Sequence, residues 1–101
     1  MTRAVIFAPE AEDDLLQLYD FIADQSGPDR AYGYAERIRT YCLAFETFPE
    51  RGIRRDDLRP GLRLVGFERR VTIAFHLTPA AVVIDRILYG GRDAEGLLAD
   101  E

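Results

Sequence analysis

The side chains best suited to chemistry in this chain are arginines, and they gather late. All 13 basic residues are arginine. Arg59 and Arg63 bracket Pro60-Gly61-Leu62, and Arg86, Tyr89 and Arg92 fall within Arg86-Ile87-Leu88-Tyr89-Gly90-Gly91-Arg92-Asp93. A guanidinium is a permanent cation whose planar fork grips carboxylates and phosphates. It holds its proton too tightly to act as a general base. His76 is the only histidine. These residue types favour anion binding over proton transfer.

Charge is unevenly placed along the chain. Residues 1–50 carry 4 Arg against 10 acids, a net of −6, and residues 51–92 carry 9 Arg against 4 acids, a net of +5. The net charge of −5 therefore joins an acidic front to a basic back. Affinity for a nucleic-acid backbone grows with the phosphates a protein neutralises, so the acidic total argues against direct nucleic-acid binding.

The elements that must position these arginines follow from periodicity. The chain has 101 residues, one domain's worth, and 48% of them are apolar, so a single domain over 1–101 with its own core is expected. Ala4–Ala8 reads as a first strand. Pro9 then opens a helix whose first turns carry Glu10, Glu12, Asp13 and Asp14, where the macrodipole favours acids. Ala11, Leu15, Leu18 and Ile22 repeat at helical spacing, and the helix should end near Gln25–Gly27. A second helix begins at Pro28 with an apolar seam of Ala31, Tyr34, Ile38, Tyr41, Phe45 and Phe48, and Pro49 stops it. Residues 50–61 read as a polar connection. Leu62–Phe67, Val71–Leu77 and Val82–Tyr89 read as strands, with turns at 68–70 and 78–81 between them. A short helical segment is expected over Ala94–Ala99.

The expected fold class is α+β: a two-layer β-α-α-β-β-β domain with a helical hairpin packed on an antiparallel β meander. The edge taken by the first strand does not follow from the residues. No apolar run approaches the roughly 20 residues of a membrane span. Met1–Phe7 runs straight into strand-like sequence without the apolar block of a signal peptide. The single cysteine, Cys42, permits no internal disulfide and fits a reducing compartment, so a cytoplasmic location is expected.

Several stretches carry a resemblance. Phe7-Ala8-Pro9-Glu10-Ala11-Glu12-Asp13-Asp14-Leu15 is similar to the opening of the RelE/ParE toxins, and Phe48-Pro49-Glu50-Arg51-Gly52 to their helix exit. Asp57-Leu58-Arg59-Pro60-Gly61-Leu62-Arg63 and Arg86–Asp93 resemble the ParE branch most closely. The likeness spans nearly the whole chain. It implies the toxin half of a type II toxin–antitoxin module, held silent by a ParD-like antitoxin whose C-terminal segment wraps the helices and sheet. A ParE-like toxin would inhibit DNA gyrase and block replication. A RelE-like one would cut mRNA on the ribosome, and an inactive remnant would only bind antitoxin. The resemblance places target or antitoxin contacts at Arg59, Arg63, Arg86, Tyr89 and Arg92.

The residues favour the non-enzymatic reading. RNA cleavage needs a group to take the 2′-OH proton, another to protonate the leaving oxygen, and cations for the phosphate. RelE-like chains supply lysines, arginines and a late tyrosine. Here there is no lysine, Phe67 stands at the strand position of a RelE arginine, and Leu97 and Leu98 follow Arg92. No catalytic residue, metal or cofactor is expected. Two positions depart from the family: Ala8 where Ser or Thr would cap the helix, and Tyr89 where ParE-like chains carry histidine.

Other conspicuous residues have plain structural readings. His76 reads as an exposed or satisfied sheet histidine, and Cys42 as a small core residue. Tyr34 and Tyr41 read as packing residues with their hydroxyls at the edge. The acids of 10–14 serve the helix start, and Arg54, Arg55, Arg69 and Arg70 are solvated charge. Arg92 has Asp85 and Asp93 as possible partners, and Arg63 a partner across the sheet.

Overall fold

The computed structural model describes residues 3–90 and Leu98. Strand β1 (Ala4–Phe7) leads into α1 (Pro9–Ser26) and α2 (Pro28–Leu43), followed by a single 3-10 turn over Ala44–Glu46. Strands β2 (Ile53–Arg54), β3 (Arg63–Phe67), β4 (Val71–Leu77) and β5 (Ala81–Tyr89) complete one sheet of order β1-β5-β4-β3-β2. The α+β class and helical hairpin stand as read from the sequence. Three details differ. The sheet is mixed, because β1 runs parallel to β5. The connection over 50–61 contains β2, paired antiparallel to β3. The second helix gives way to a 3-10 turn at Ala44, before Pro49. Pro49 stops a helix that has already loosened. The expected segment over Ala94–Ala99 lies outside the described residues except for Leu98, which is buried.

Local chemistry explains the boundaries. Ala8 offers no capping side chain, and α1 starts with no side-chain cap bond. Gly27 joins the helices at φ +95°, a conformation L side chains avoid, and donates its N–H to Ala23 O at 2.9 Å. Pro28 therefore opens α2 after a one-residue break, and the helices pack as a hairpin. Glu68 and Arg69 both take positive φ (49° and 64°) in the β3–β4 turn, closed by Arg70 N donating to Phe67 O. At the other end of β4, the Thr78 hydroxyl accepts from Ala81 N at 2.9 Å.

The core lies between helices and sheet. Ala11, Leu15, Leu18, Ile38, Cys42 and Phe45 meet Val71, Ile73, Phe75, Val82, Ile84 and Ile87. Each fully buried large side chain contributes about 1.5–3 kcal/mol. A smaller cluster of Leu58, Leu62, Ala74, Leu88 and Leu98 covers the other face. Strand β5 serves both faces through a register shift opposite Ala74–Phe75, where Asp85 is the residue without a partner. Before the shift Val82 and Ile84 face the helices; after it Ile87 and Tyr89 do, and Leu88 faces the back.

Candidate functional site: an arginine-lined sheet end and an aromatic cleft

Arg51, Arg54, Arg55, Arg59 and Arg63 gather at the end of the sheet built by β2, β3 and the loop between them. Arg54 and Arg63 are directly opposed across β2–β3, a like-charge pairing that destabilises a sheet unless anions balance it. Arg54 is balanced by Asp56 at 3.1 Å. Arg63 is not well balanced. Its side chain is only 16% exposed, yet its contacts are long: 3.4 Å to Arg51 O and 3.9 Å to the exposed Glu50 carboxylate. A largely desolvated guanidinium with such weak partners has unspent hydrogen-bonding capacity.

Its neighbours are held in place. Arg51 donates to Phe48 O at 2.9 Å and lies over the Phe45 ring at 4.5 Å, a cation–π contact. Arg55 grips Asp57 through two 2.9 Å bonds. Asp56 accepts from Gly61 N at 2.8 Å, and that bond with the Arg54 pairing holds its carboxyl below the usual range. Gly52 permits the approach of this loop to β3: at φ +76°, a Cβ there would stand 2.3 Å from Leu64 O. Beside the arginines, Phe48 and Ile53 present large exposed apolar surface. Arg59 lies on the same loop, donating its backbone N–H to Arg55 O and accepting from Leu62 N.

The remaining sequence-named positions lie elsewhere. Arg86 sits under α1, where Nε and Nη2 donate to Asp14 at 2.8 and 3.0 Å. The same carboxylate accepts from Ile87 N at 2.9 Å. Asp14 is thus 5% exposed and ties α1 to β5, rather than serving the helix start. Sequence reasoning missed it, although the signal was present: Asp14 lies on the inward stripe of Ala11, Leu15 and Leu18. Tyr89 lies at the far end of β5, opposite Val71. Arg92 lies outside the described residues. The structure therefore sets Arg59 and Arg63 at one end of the sheet and Tyr89 at the other, with Arg86 between them in an internal ion pair.

Tyr89 belongs to an aromatic cleft of ≈ 680 Å³ between the hairpin and the β3–β4 turn. Its ring meets Phe21 at 5.8 Å and the edge of Tyr34 at 6.3 Å. The Tyr34 hydroxyl is buried without a hydrogen-bond partner among the described residues, not at the edge as its spacing suggests. Burial raises its phenol pKa. Arg37 and Glu68 form an ion pair across the mouth at 3.0 Å.

Among the described residues, the nearest carboxylate to Arg63 is Glu50 at 3.9 Å, and the chain's one histidine is remote from it. Arg63 opposes Phe75 and so shares the helix-facing side of the sheet. His76, the next residue on β4, points to the other side, where Nδ1 lies 2.7 Å from Asp85 Oδ2. Asp85 is thereby engaged by His76. Cys42 is buried, and its thiol is pushed up to about 12 by desolvation. No cluster of three or more His, Cys, Asp or Glu able to hold a metal occurs among the described residues. No described helix is long and apolar enough to cross a membrane.

A two-layer β-α-α-β-β-β-β domain, with a helical hairpin on a mixed sheet, is the fold of the RelE/ParE-like toxins. The chain belongs to the ParE toxin family: the family model described as "ParE toxin of type II toxin-antitoxin system, parDE" matches residues 5–94. Its fold is similar to a solved chain from "Chromosomal ParDE TA system from P. aeruginosa". The two share 22% identity over 88% of this chain and 97% of that one, with a TM-score of 0.78. No curated protein matches the chain in sequence.

Proposed function

We propose that this chain arrests growth as a ParE-like toxin by binding and inhibiting DNA gyrase, and that a cognate antitoxin silences it. One observation carries the non-enzymatic reading. Among the described residues, Arg63 makes only long contacts at the sheet end, to Arg51 O and the Glu50 carboxylate, and the chain's one histidine points to the other face. Such a surface suits docking against acidic protein better than general acid–base chemistry. The exposed Phe48 and Ile53 beside it add the apolar contact a protein interface needs. A place in the cytoplasm, where gyrase works, agrees with this reading.

The test is a purified supercoiling assay beside expression in a bacterium, with DNA damage signalling and mRNA cleavage read in parallel. Inhibited supercoiling, induced damage signalling and intact mRNA are expected. Arg63→Ala and Arg92→Ala should each reduce toxicity more than they reduce the soluble folded level. Ribosome-dependent mRNA cleavage with unaffected gyrase would establish the RelE-like reading instead. Loss of both activities with antitoxin binding retained would mark an inactive remnant.

A further inference from the structure

The sheet ends on strand β2, and β2 leaves main-chain groups open. Arg55 N donates to Leu62 O at 2.7 Å across the ladder, so residues 55 and 62 form a hydrogen-bonded pair. The next pair, Arg54 with Arg63, is then a non-hydrogen-bonded one. Arg54 therefore turns its N–H and C=O away from β3, to the outer edge. Among the described residues no strand lies beyond β2, and no turn or loop bond reaches Arg54 N or O.

The two faces of this edge differ in chemistry. Arg54 shares the face of Arg63, which opposes Phe75 on the helix side. Ile53 lies on the other face, opposite Leu64, and is 70% exposed. Residues 50–63 carry five arginines (51, 54, 55, 59, 63) against three acids (50, 56, 57), a net of +2 in a chain of −5. A strand of two residues offers only the N–H and C=O of Arg54, so side chains on both faces must supply the rest of any affinity.

We propose that an extended segment of a protein partner adds to the outer edge of β2 as a further antiparallel strand, with acidic and apolar side chains alternating along it. The partner residue opposite Arg54 exchanges both main-chain bonds with it. Its side chain falls on the arginine face and is acidic. The residues on either side of it fall on the face of Ile53 and Leu64 and are apolar. A second copy of this chain does not fit, because it would set two net-positive edges side by side. A nucleic acid has no peptide group to complete the ladder. That the partner is the toxin's target rests on the reading above; the strand site does not.

The probe is a short capped peptide of alternating Glu and Val, titrated into the full chain while backbone amides are followed by NMR. One twin carries Lys for Glu, and another is N-methylated at the central Glu. The parent peptide should protect the Arg54 amide from exchange. Each twin should bind about tenfold more weakly, the first for want of charge match, the second for want of the donor that Arg54 O accepts. Arg54→Pro removes the outward N–H and spares the bonds of residues 53 and 55 to β3. It should weaken the parent peptide well beyond Arg54→Gln, which removes only the charge. Equal binding of the parent and its N-methylated twin, or no binding, overturns the strand site. Supercoiling and growth arrest are then read with Arg54→Pro. Peptide binding with undiminished arrest by Arg54→Pro overturns the target as occupant. If the peptides do not discriminate and gyrase is still inhibited, the site falls while the toxin reading stands. If the chain causes no arrest but the parent peptide protects Arg54, the toxin reading falls while the site stands.

Discussion

Asp14→Ala measures how much of the fold hangs on one carboxylate. Asp14 accepts three bonds from β5, two from Arg86 and one from Ile87 N. Its removal leaves the Ile87 N–H buried without an acceptor, a loss of about 1–3 kcal/mol. It also strands Arg86. Breaking a fully buried pair costs about 3–5 kcal/mol, but the Arg86 side chain is 23% exposed and turns partly to water, which lowers that share. The expected total is about 3 kcal/mol. That is a large part of the roughly 5–15 kcal/mol that holds a domain together. At roughly 4–8 °C per kcal/mol, Tm should fall by on the order of 15 °C. Urea unfolding followed by circular dichroism reads it. Asp14→Asn, which keeps an acceptor for Ile87 N, should cost less than Asp14→Ala. Asp14→Leu combined with Arg86→Met should recover only the share due to the stranded guanidinium, since an apolar pair replaces an ionic one at little cost while the Ile87 N–H still lacks its acceptor. A loss below about 1 kcal/mol for Asp14→Ala would refute the assignment of this pair as the tie between the layers.

Three further outcomes follow from the geometry. Gly52→Ala, with its Cβ forced against Leu64 O, should destabilise by on the order of 2 kcal/mol and speed amide exchange across β2–β3; unchanged exchange there would contradict the close approach. Cys42, with its thiol raised to about 12 by burial, should resist iodoacetamide in the native protein at about pH 8 and react once urea unfolds it, because the thiolate is the nucleophile. The bond from Arg39 holds the Glu12 carboxyl below its ordinary value of 4.5. Its contribution is therefore complete above about 4.5 and fades as pH falls through the lower folded value. Glu12→Gln should reduce acid sensitivity in that window by well under 1 kcal/mol, the pair being exposed; a pH profile identical to the parent's would remove the pair from the account.

Much of the fold was legible because its periods are clean. The seam Ala31-Tyr34-Ile38-Tyr41-Phe45 and the alternation Val71-Ile73-Phe75-Leu77 each admit one reading, and both elements form where they point. Short range hides the rest. Strand β2 is two residues long, too short for any period, and exists because Gly52 lets its chain reach Leu64. The parallel pairing of β1 with β5 joins residues 77 positions apart, as in Ala4 with Ala81, and no local pattern encodes it. In β5 a strict alternation from Val82 would send Arg86 and Leu88 to the core. The shift at Asp85 instead delivers Ile87 and Tyr89 there and gives Arg86 a carboxylate to meet.

The site was legible only in part for the same reason. Residue type pointed to arginines as the anion-binding groups, but not to which arginines are already spent. Arg86 is consumed by Asp14, Arg37 by Glu68 and Arg54 by Asp56. Arg63 and Arg70 retain capacity, and they lie at opposite ends of β3. From Arg63 to Phe67 the strand spans roughly 13–14 Å at about 3.4 Å per residue, so no single side chain bridges the two.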